Sequence, residues 1–373
     1  MNPRVAVSPL EPTSPAALRA TTRRTFLGGT LAAAGGLLLA PQIRAQSKTA
    51  PDFHGAIIGH GAHRYRVDLR WSRADAAKTP VNNCHEMVMS ADNRLFLLTD
   101  NARNNVLIYA RDGALLGSWT LNLAGAHGLT LAREGGREVL WITDTKGRVV
   151  KASLDGELLS ELPHPAACGA YAAGAKYAPT EVAVGPDGQV YVADGYGSQF
   201  ILRFDAEGKY LGKFGGESSL TPGKFVQAHG IAVDTRTPEP LLVCTERMRN
   251  EFQWFTLAGE FVRSVYLPGA FVSRPVIAGD LLMSGVCFGM EPGDYRMKLN
   301  RGFVTILDRE NRVISNPGGH APDYGADGKL ALLLQAQPVF KHCHDVCVDD
   351  RGDLYVCQWR ADRVYPTKLH REG

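Results

Sequence analysis

A short unit returns six times along this sequence: an apolar first strand, a turn, a second apolar strand closing on an acid, a polar loop, a third strand and another turn. His85-Glu-Met-Val-Met runs to Leu95-Phe-Leu-Leu-Thr-Asp100 and Val106-Leu-Ile-Tyr109, and His127-Gly-Leu-Thr-Leu runs to Leu140-Trp-Ile-Thr-Asp144 and Val149-Val150. Thr180-Glu-Val-Ala-Val leads to Val190-Tyr-Val-Ala-Asp194 and Ile201-Leu-Arg-Phe204, and His229-Gly-Ile-Ala-Val leads to Leu241-Leu-Val-Cys-Thr-Glu246. His344-Asp-Val-Cys-Val leads to Leu354-Tyr-Val-Cys357, with a third strand expected at Arg363-Val-Tyr365. A degenerate copy fits between Pro275-Val-Ile and Phe303-Val-Thr-Ile-Leu307. Turn formers such as Asp112-Gly113, Asp155-Gly156 and Glu207-Gly208 follow the third strands, where a hairpin needs residues tolerant of positive φ. The 40 Gly and 21 Pro supply that punctuation.

A sheet of three or four strands cannot bury both of its faces alone, and radial packing of six such sheets buries them while leaving only short edges. The expected fold is all-β, a six-bladed β-propeller over residues 46–373. Alternation in Tyr65-Arg-Val-Asp-Leu-Arg-Trp71 marks a strand that closes the ring with the last blade. A pair of β-sandwiches is the competing arrangement.

The formal charge of +3 belongs to the N-terminus. Residues 1–45 carry Arg4, Arg19, Arg23, Arg24 and Arg44 against the single acid Glu11, leaving 36 basic and 37 acidic side chains beyond them. A near-neutral remainder has no electrostatic preference for nucleic acid. Thr22-Arg23-Arg24-Thr25-Phe26-Leu27, the apolar run Leu31 to Ala40 and a small residue at Ala45 read as a twin-arginine signal peptide over residues 1–45. The apolar run is about 10 residues, too short for a bilayer span of roughly 20. The expectation is a monomer exported to the periplasm or beyond, without a membrane segment once the signal is removed. Seven Cys, an odd number, leave at least one thiol unpaired, and their reading is as small buried hydrophobes.

First strands of propeller blades line the central channel, so equivalent positions converge on the axis. Four of the six copies place His there: His85, His127, His229 and His344. Converging imidazoles are what a divalent transition metal requires. The same ring can also be structural, each imidazole bonded to backbone, and both readings stand at this point. Adjacent His342 is a further candidate.

The repeat resembles those of NHL propellers. Pro179-Thr-Glu-Val-Ala-Val-Gly-Pro-Asp-Gly-Gln-Val-Tyr-Val-Ala-Asp-Gly-Tyr196, continuing through Gly208-Lys-Tyr-Leu-Gly-Lys-Phe-Gly215 to His229, resembles more narrowly the peptidyl-α-hydroxyglycine α-amidating lyases. That resemblance implies zinc on His127, His229 and His344. It implies calcium on the axis, held by Asp345 and by backbone carbonyls including that of Leu129. It also implies Tyr196 as catalytic base and Arg247 as an organising cation. The activity implied is cleavage of the C–N bond of an N-acyl-α-hydroxyglycine to an amide and glyoxylate, on a small-molecule or peptide substrate bearing a carboxylate.

The sequence departs from the family in three places. His85 adds a fourth imidazole, either crowding the site or completing a four-histidine sphere. Gly197 stands where the family has a cysteine. A second family arginine has no clean match; Asp100 lies near its place, and Arg103 and Arg64 are candidates. From the residues alone, Tyr196 also reads as a loop aromatic over the channel mouth, and Arg247 as a partner of Glu246 or Glu251. Two other functions stand beside the lyase: a metal-dependent hydrolase such as a lactonase on the same axial site, and a non-catalytic NHL propeller binding a protein or peptide.

Overall fold

Six antiparallel sheets follow one another along the chain in a computed structural model that describes residues 52–373. The signal-peptide expectation lies outside the described residues. Blade I runs from Cys84–Met89 through Leu95–Thr99 and Val106–Tyr109 to Leu115–Trp119. Blades II, III and IV repeat this four-stranded meander, starting from Ala126–Glu134, Glu181–Val184 and Ala228–Asp234. The degenerate copy is blade V, and its first strand is split into Phe271–Val272 and Val276–Ala278, both paired to Leu281–Glu291. Pro275 sits at the break, where it has no N–H to give the ladder.

Blade VI joins the two ends of the described chain. Cys343–Val348, Leu354–Gln358 and Thr367–Glu372 are completed by His63–Asp68 and Ile57–His60, with Val67 opposite Leu369. The closing strand is the one expected around Tyr65, although it ends at Asp68. The third strand expected at Arg363-Val-Tyr365 is corrected to Thr367–Glu372. Arg360, Asp362 and Arg363 take φ of 46°, 60° and 61°, left-handed values that no strand accommodates.

Burial falls from the axis outward. Leu95–Thr99 and Val106–Tyr109 are buried throughout, whereas the outer strand Leu158–Glu161 is exposed throughout. The apolar middle strands, buried on both sides, follow from each blade being sandwiched between two neighbours. Six hydrophobic clusters fill the six gaps, each drawing on two adjacent blades; Val182, Val190 and Trp141 meet between II and III, and Tyr65, Val304 and Val346 between V and VI. Six of the seven Cys are buried and all seven are unpaired, in keeping with their reading as small hydrophobes. No helix among the described residues is long and apolar enough to cross a membrane.

Candidate metal centre

Each axial histidine sits in a break of the strand ladder. Register shifts fall between Cys84 and Glu86, Ala126 and Leu129, Ala228 and Ile231, and Cys343 and Asp345, bracketing His85, His127, His229 and His344. A bulge interrupts the alternation of side chains and re-aims the extra residue. Here it brings the imidazole, and in blades I and VI also the residue after it, to the channel. In blades II and IV that following residue is glycine. A Cβ on Gly128 would lie 2.5 Å from the Thr180 carbonyl oxygen, and one on Gly230 would lie 2.7 Å from the Arg274 Cα.

The four rings gather closely, all 4% exposed or less. His127 lies 4.9 Å from His85, 4.9 Å from His229 and 4.7 Å from His344 between ring centroids. His344 lies 4.8 Å from His85 and 5.0 Å from His229. His127 Nδ1 donates to the Thr180 carbonyl at 2.9 Å and His344 Nδ1 donates to the His85 carbonyl at 3.0 Å. These bonds fix the tautomer that leaves Nε2 with its lone pair toward the axis. The Nε2 of His127 accepts from the Tyr196 hydroxyl at 3.1 Å. The Nε2 of His344, the Nδ1 of His85 and both ring nitrogens of His229 are buried without a partner. Burial holds His127, His229 and His344 well below the ordinary histidine range, and their mutual repulsion adds to it.

Neutral imidazoles with orphaned nitrogens fit a transition metal better than a structural ring, which would have bonded them to backbone. Ligand atoms of His85, His127 and His344 lie within 4.8 Å of one another. The resemblance implies instead His127, His229 and His344. Both triples share His127 and His344; His85 already faces Asp100, its Nε2 3.5 Å from Oδ2, while His229 has no such partner. His342 is not part of the ring: its Nε2 accepts from the Asn300 amide, and its ring packs on Phe288 and Trp359.

Tyr196 is drawn into the ring, its centroid 5.1 Å from His127 and 5.7 Å from His229. Burial pushes its phenol above 10, and the nearby Arg247 guanidinium pulls the other way. Arg247 opens the 3-10 turn Arg247–Arg249, which Glu246 caps by accepting from the Met248 and Arg249 amides at 3.0 and 3.2 Å. Its side chain is buried and donates to the Val272 carbonyl at 3.2 Å and the Ser273 hydroxyl at 2.9 Å. The ion pair with Glu251 belongs to Arg249 at 2.6 Å. Arg247 therefore faces inward, and the surface-pair reading is corrected.

A cavity of about 370 Å³ opens over the ring, lined by His85, Asp100, His127, Lys146, Tyr196 and Trp359 with Ala124–Ala126 and Thr145. Neither Arg64 nor Arg103 lines it. Lys146 is its cation, exposed and without an ion-pair partner among the described residues. It was missed from the sequence because it stands in a polar loop like any other surface lysine. A second cavity, about 340 Å³ and mainly apolar, lies at the other end of the first strands, around Met87, Val182 and Ile231. The groups with chemistry gather at the first.

The calcium expectation is corrected. Arg274, unnoticed in the degenerate copy, puts its guanidinium where the ion was placed. It donates from Nε and Nη2 to the two Asp345 oxygens, both at 3.0 Å, and from Nη1 to the Leu129 carbonyl at 2.7 Å. Both expected ligands are thus engaged by an internal cation, and the residues present do not fit calcium. Burial opposes the charge on Arg274, but Asp345, Glu86 and Glu181 outweigh it. Burial raises the Glu86 and Glu181 carboxyls, and each lies in the field of the other and of Arg274.

Comparison with known proteins agrees with this architecture. No family model matches the sequence. The chain is 26% identical over 249 residues to peptidyl-glycine alpha-amidating monooxygenase B of Xenopus laevis, covering 64% of this chain and 26% of that protein. It is 37% identical over 201 residues to peptidylglycine alpha-amidating monooxygenase of Rattus norvegicus, covering 51% of this chain and 18% of that protein. NHL repeat-containing protein 3 of Mus musculus is 24% identical over 180 residues, 46% of this chain and 51% of its own. The chain is a six-bladed propeller similar to the amidating proteins. It spans about a quarter or less of their length. Among solved structures, a streptogramin B lyase superposes with a TM-score of 0.52 at 13% identity, over 83% of this chain and 98% of its own. A structure described as a putative gluconolactonase gives 0.54 at 14%, over 85% and 93%. At such identities these two speak for the fold alone.

Proposed function

We propose that this protein is an exported, zinc-dependent propeller lyase that cleaves an N-acyl-α-hydroxyglycine, or a related carbinolamide, to an amide and glyoxylate. The observation that carries the reading is the ring of buried axial imidazoles, with orphaned nitrogens on His85, His229 and His344, beside a buried tyrosine that shares a cavity with His85 and His127. His127, His229 and His344 would hold the metal, and His85 stands beside them. Bound there, zinc would polarise the substrate hydroxyl as a Lewis acid, and its charge would lower the Tyr196 phenol. Tyr196, as the phenolate, takes the hydroxyl proton as the C–N bond breaks and returns it to the departing amide nitrogen, so that the phenolate is regenerated with release of amide and glyoxylate. Arg247 stabilises the phenolate by its positive field. Lys146 at the cavity wall pairs with the substrate carboxylate, the part the sequence sought in Arg64 or Arg103.

Metal analysis and a glyoxylate assay test this together. Purified protein should carry stoichiometric zinc, lose it in His127→Ala/His229→Ala, and release glyoxylate from an N-acyl-α-hydroxyglycine. In Tyr196→Phe the rate should fall by about 10²–10⁴, the usual contribution of a general base, with zinc retained. Zinc-loaded protein that forms no glyoxylate would sink the reading. The His85–Asp100 pair favours one alternative, a metal-dependent hydrolase in which that pair orients a water; it would turn over esters or lactones without glyoxylate.

A further inference from the structure

The residue that follows the axial position of each blade (His85, His127, Thr180, His229, Ser273 and His344) is Glu86, Gly128, Glu181, Gly230, Arg274 and Asp345, and these build a layer beneath the histidines. The two glycines pack against the backbone of the next blade, at Thr180–Glu181 and at Ser273–Arg274, and the Arg274 side chain reaches the carboxylates of the layer. Besides Asp345 and the Leu129 carbonyl, its Nη2 reaches the Met87 carbonyl at 3.2 Å and its Nη1 lies 3.5 Å from Glu86 Oε2. The acceptors are braced in turn: Asp345 Oδ2 accepts from the Met87 amide at 2.9 Å, and Glu86 Oε2 from the Leu129 amide at 2.6 Å. One side chain from blade V thereby ties blades I, II and VI, with Glu181 of blade III in its field. It is 8% exposed and forms the floor of the far cavity rather than a wall of the histidine cavity.

We infer that Arg274 is the built-in cation of the propeller axis, so that this ring closes without a divalent ion, and that removing the guanidinium opens a site for one. The oxygens facing it come from a carboxylate, a second carboxyl and two carbonyls, the oxygen-only set that suits calcium. A neutral side chain at 274 leaves that set intact but uncompensated, with surplus negative charge. Loss of one partner of a buried ion pair is strongly destabilising because the other charge stays buried.

The experiment follows thermal unfolding of the full chain in calcium-free buffer and with calcium chloride added, alongside elemental analysis and calcium titration calorimetry. Wild-type protein should contain no stoichiometric calcium and show the same Tm in both buffers. Arg274→Ala should unfold roughly 5–10 °C lower without calcium, bind one equivalent of it and recover part of the loss. Arg274→Lys, which keeps the charge but not the fork, should fall between the two and stay insensitive to calcium. Stoichiometric calcium in the wild type, or a wild-type Tm that rises with calcium, overturns the built-in cation. An Arg274→Ala protein that is insensitive to calcium, or folds in neither buffer, overturns the latent site; the wild-type arm stands regardless. All readouts are stability and binding, so the result is independent of the lyase reading.

Discussion

His127 and His344 each give Nδ1–H to a carbonyl of the next blade, and that single bond decides what the other nitrogen can do. A histidine so held is neutral, oriented and ready as a ligand, and protonating it breaks the arrangement. The sign follows from the direction of the shift. Folded-state values for His127, His229 and His344 lie well below the unfolded value of 6.5, so between the two the unfolded chain binds more protons. Their contribution is complete above about pH 6.5 and is lost as pH falls below it, at up to ~1.4 kcal/mol per pH unit for each histidine. Metal-stripped protein should therefore show a Tm that is level above neutrality and falls as the buffer is acidified. Mutating His229 to Gln should flatten that fall. A pH-independent Tm would show that the imidazoles are not buried neutral. The identity of these four residues was readable from the repeat, but their tautomers and the missing partners of His229 were not, since both depend on carbonyls contributed by another blade.

At the scale of the strand, the bulges are the device that makes the centre. Regular alternation would send His344 and Asp345 to opposite faces; the register shift lets both reach the axis. The His-Gly pairs at 127–128 and 229–230 are the same device with the second side chain deleted, because a neighbouring backbone occupies that space. Gly230→Val should force blades IV and V apart at Arg274 and cost about 1–3 kcal/mol, a Tm decrease measurable by calorimetry. An equal substitution at Gly117, where an added Cβ meets nothing within 4 Å and the backbone is not left-handed, is the control for packing. Blade V shows where reading by pattern stopped. Its inner strand is split around Pro275, so the Ser273-Arg274 step looked like loop, and the residue that replaces calcium went unseen.

For the molecule as a whole, closure is the sensitive point. The ring is completed by His63–Asp68 against Thr367–Glu372, strands some 300 residues apart in register pairs such as Arg66 and His370. Deleting residues 52–70 should leave Thr367–Glu372 as an exposed edge and uncover Leu369, which pairs with Val67 and shares a cluster with Ile58 and Tyr65. The shortened chain is expected to aggregate or to unfold at a much lower urea concentration than the full chain, as followed by size-exclusion chromatography and fluorescence. An unchanged midpoint would mean that the closing strands are dispensable.

The sequence by itself determined the number of blades, the axial position of four histidines and the closing strand, because these depend on periodicity and on the local need for turns and apolar faces. It carried the resemblance to the amidating lyases for the same reason. Only the tertiary structure decided which imidazole nitrogens are free, that Arg247 turns inward, and that the axial cation is Arg274. Those outcomes depend on groups from three or four blades meeting within a few ångströms, and no spacing along a single strand records where another blade's carboxylate will lie.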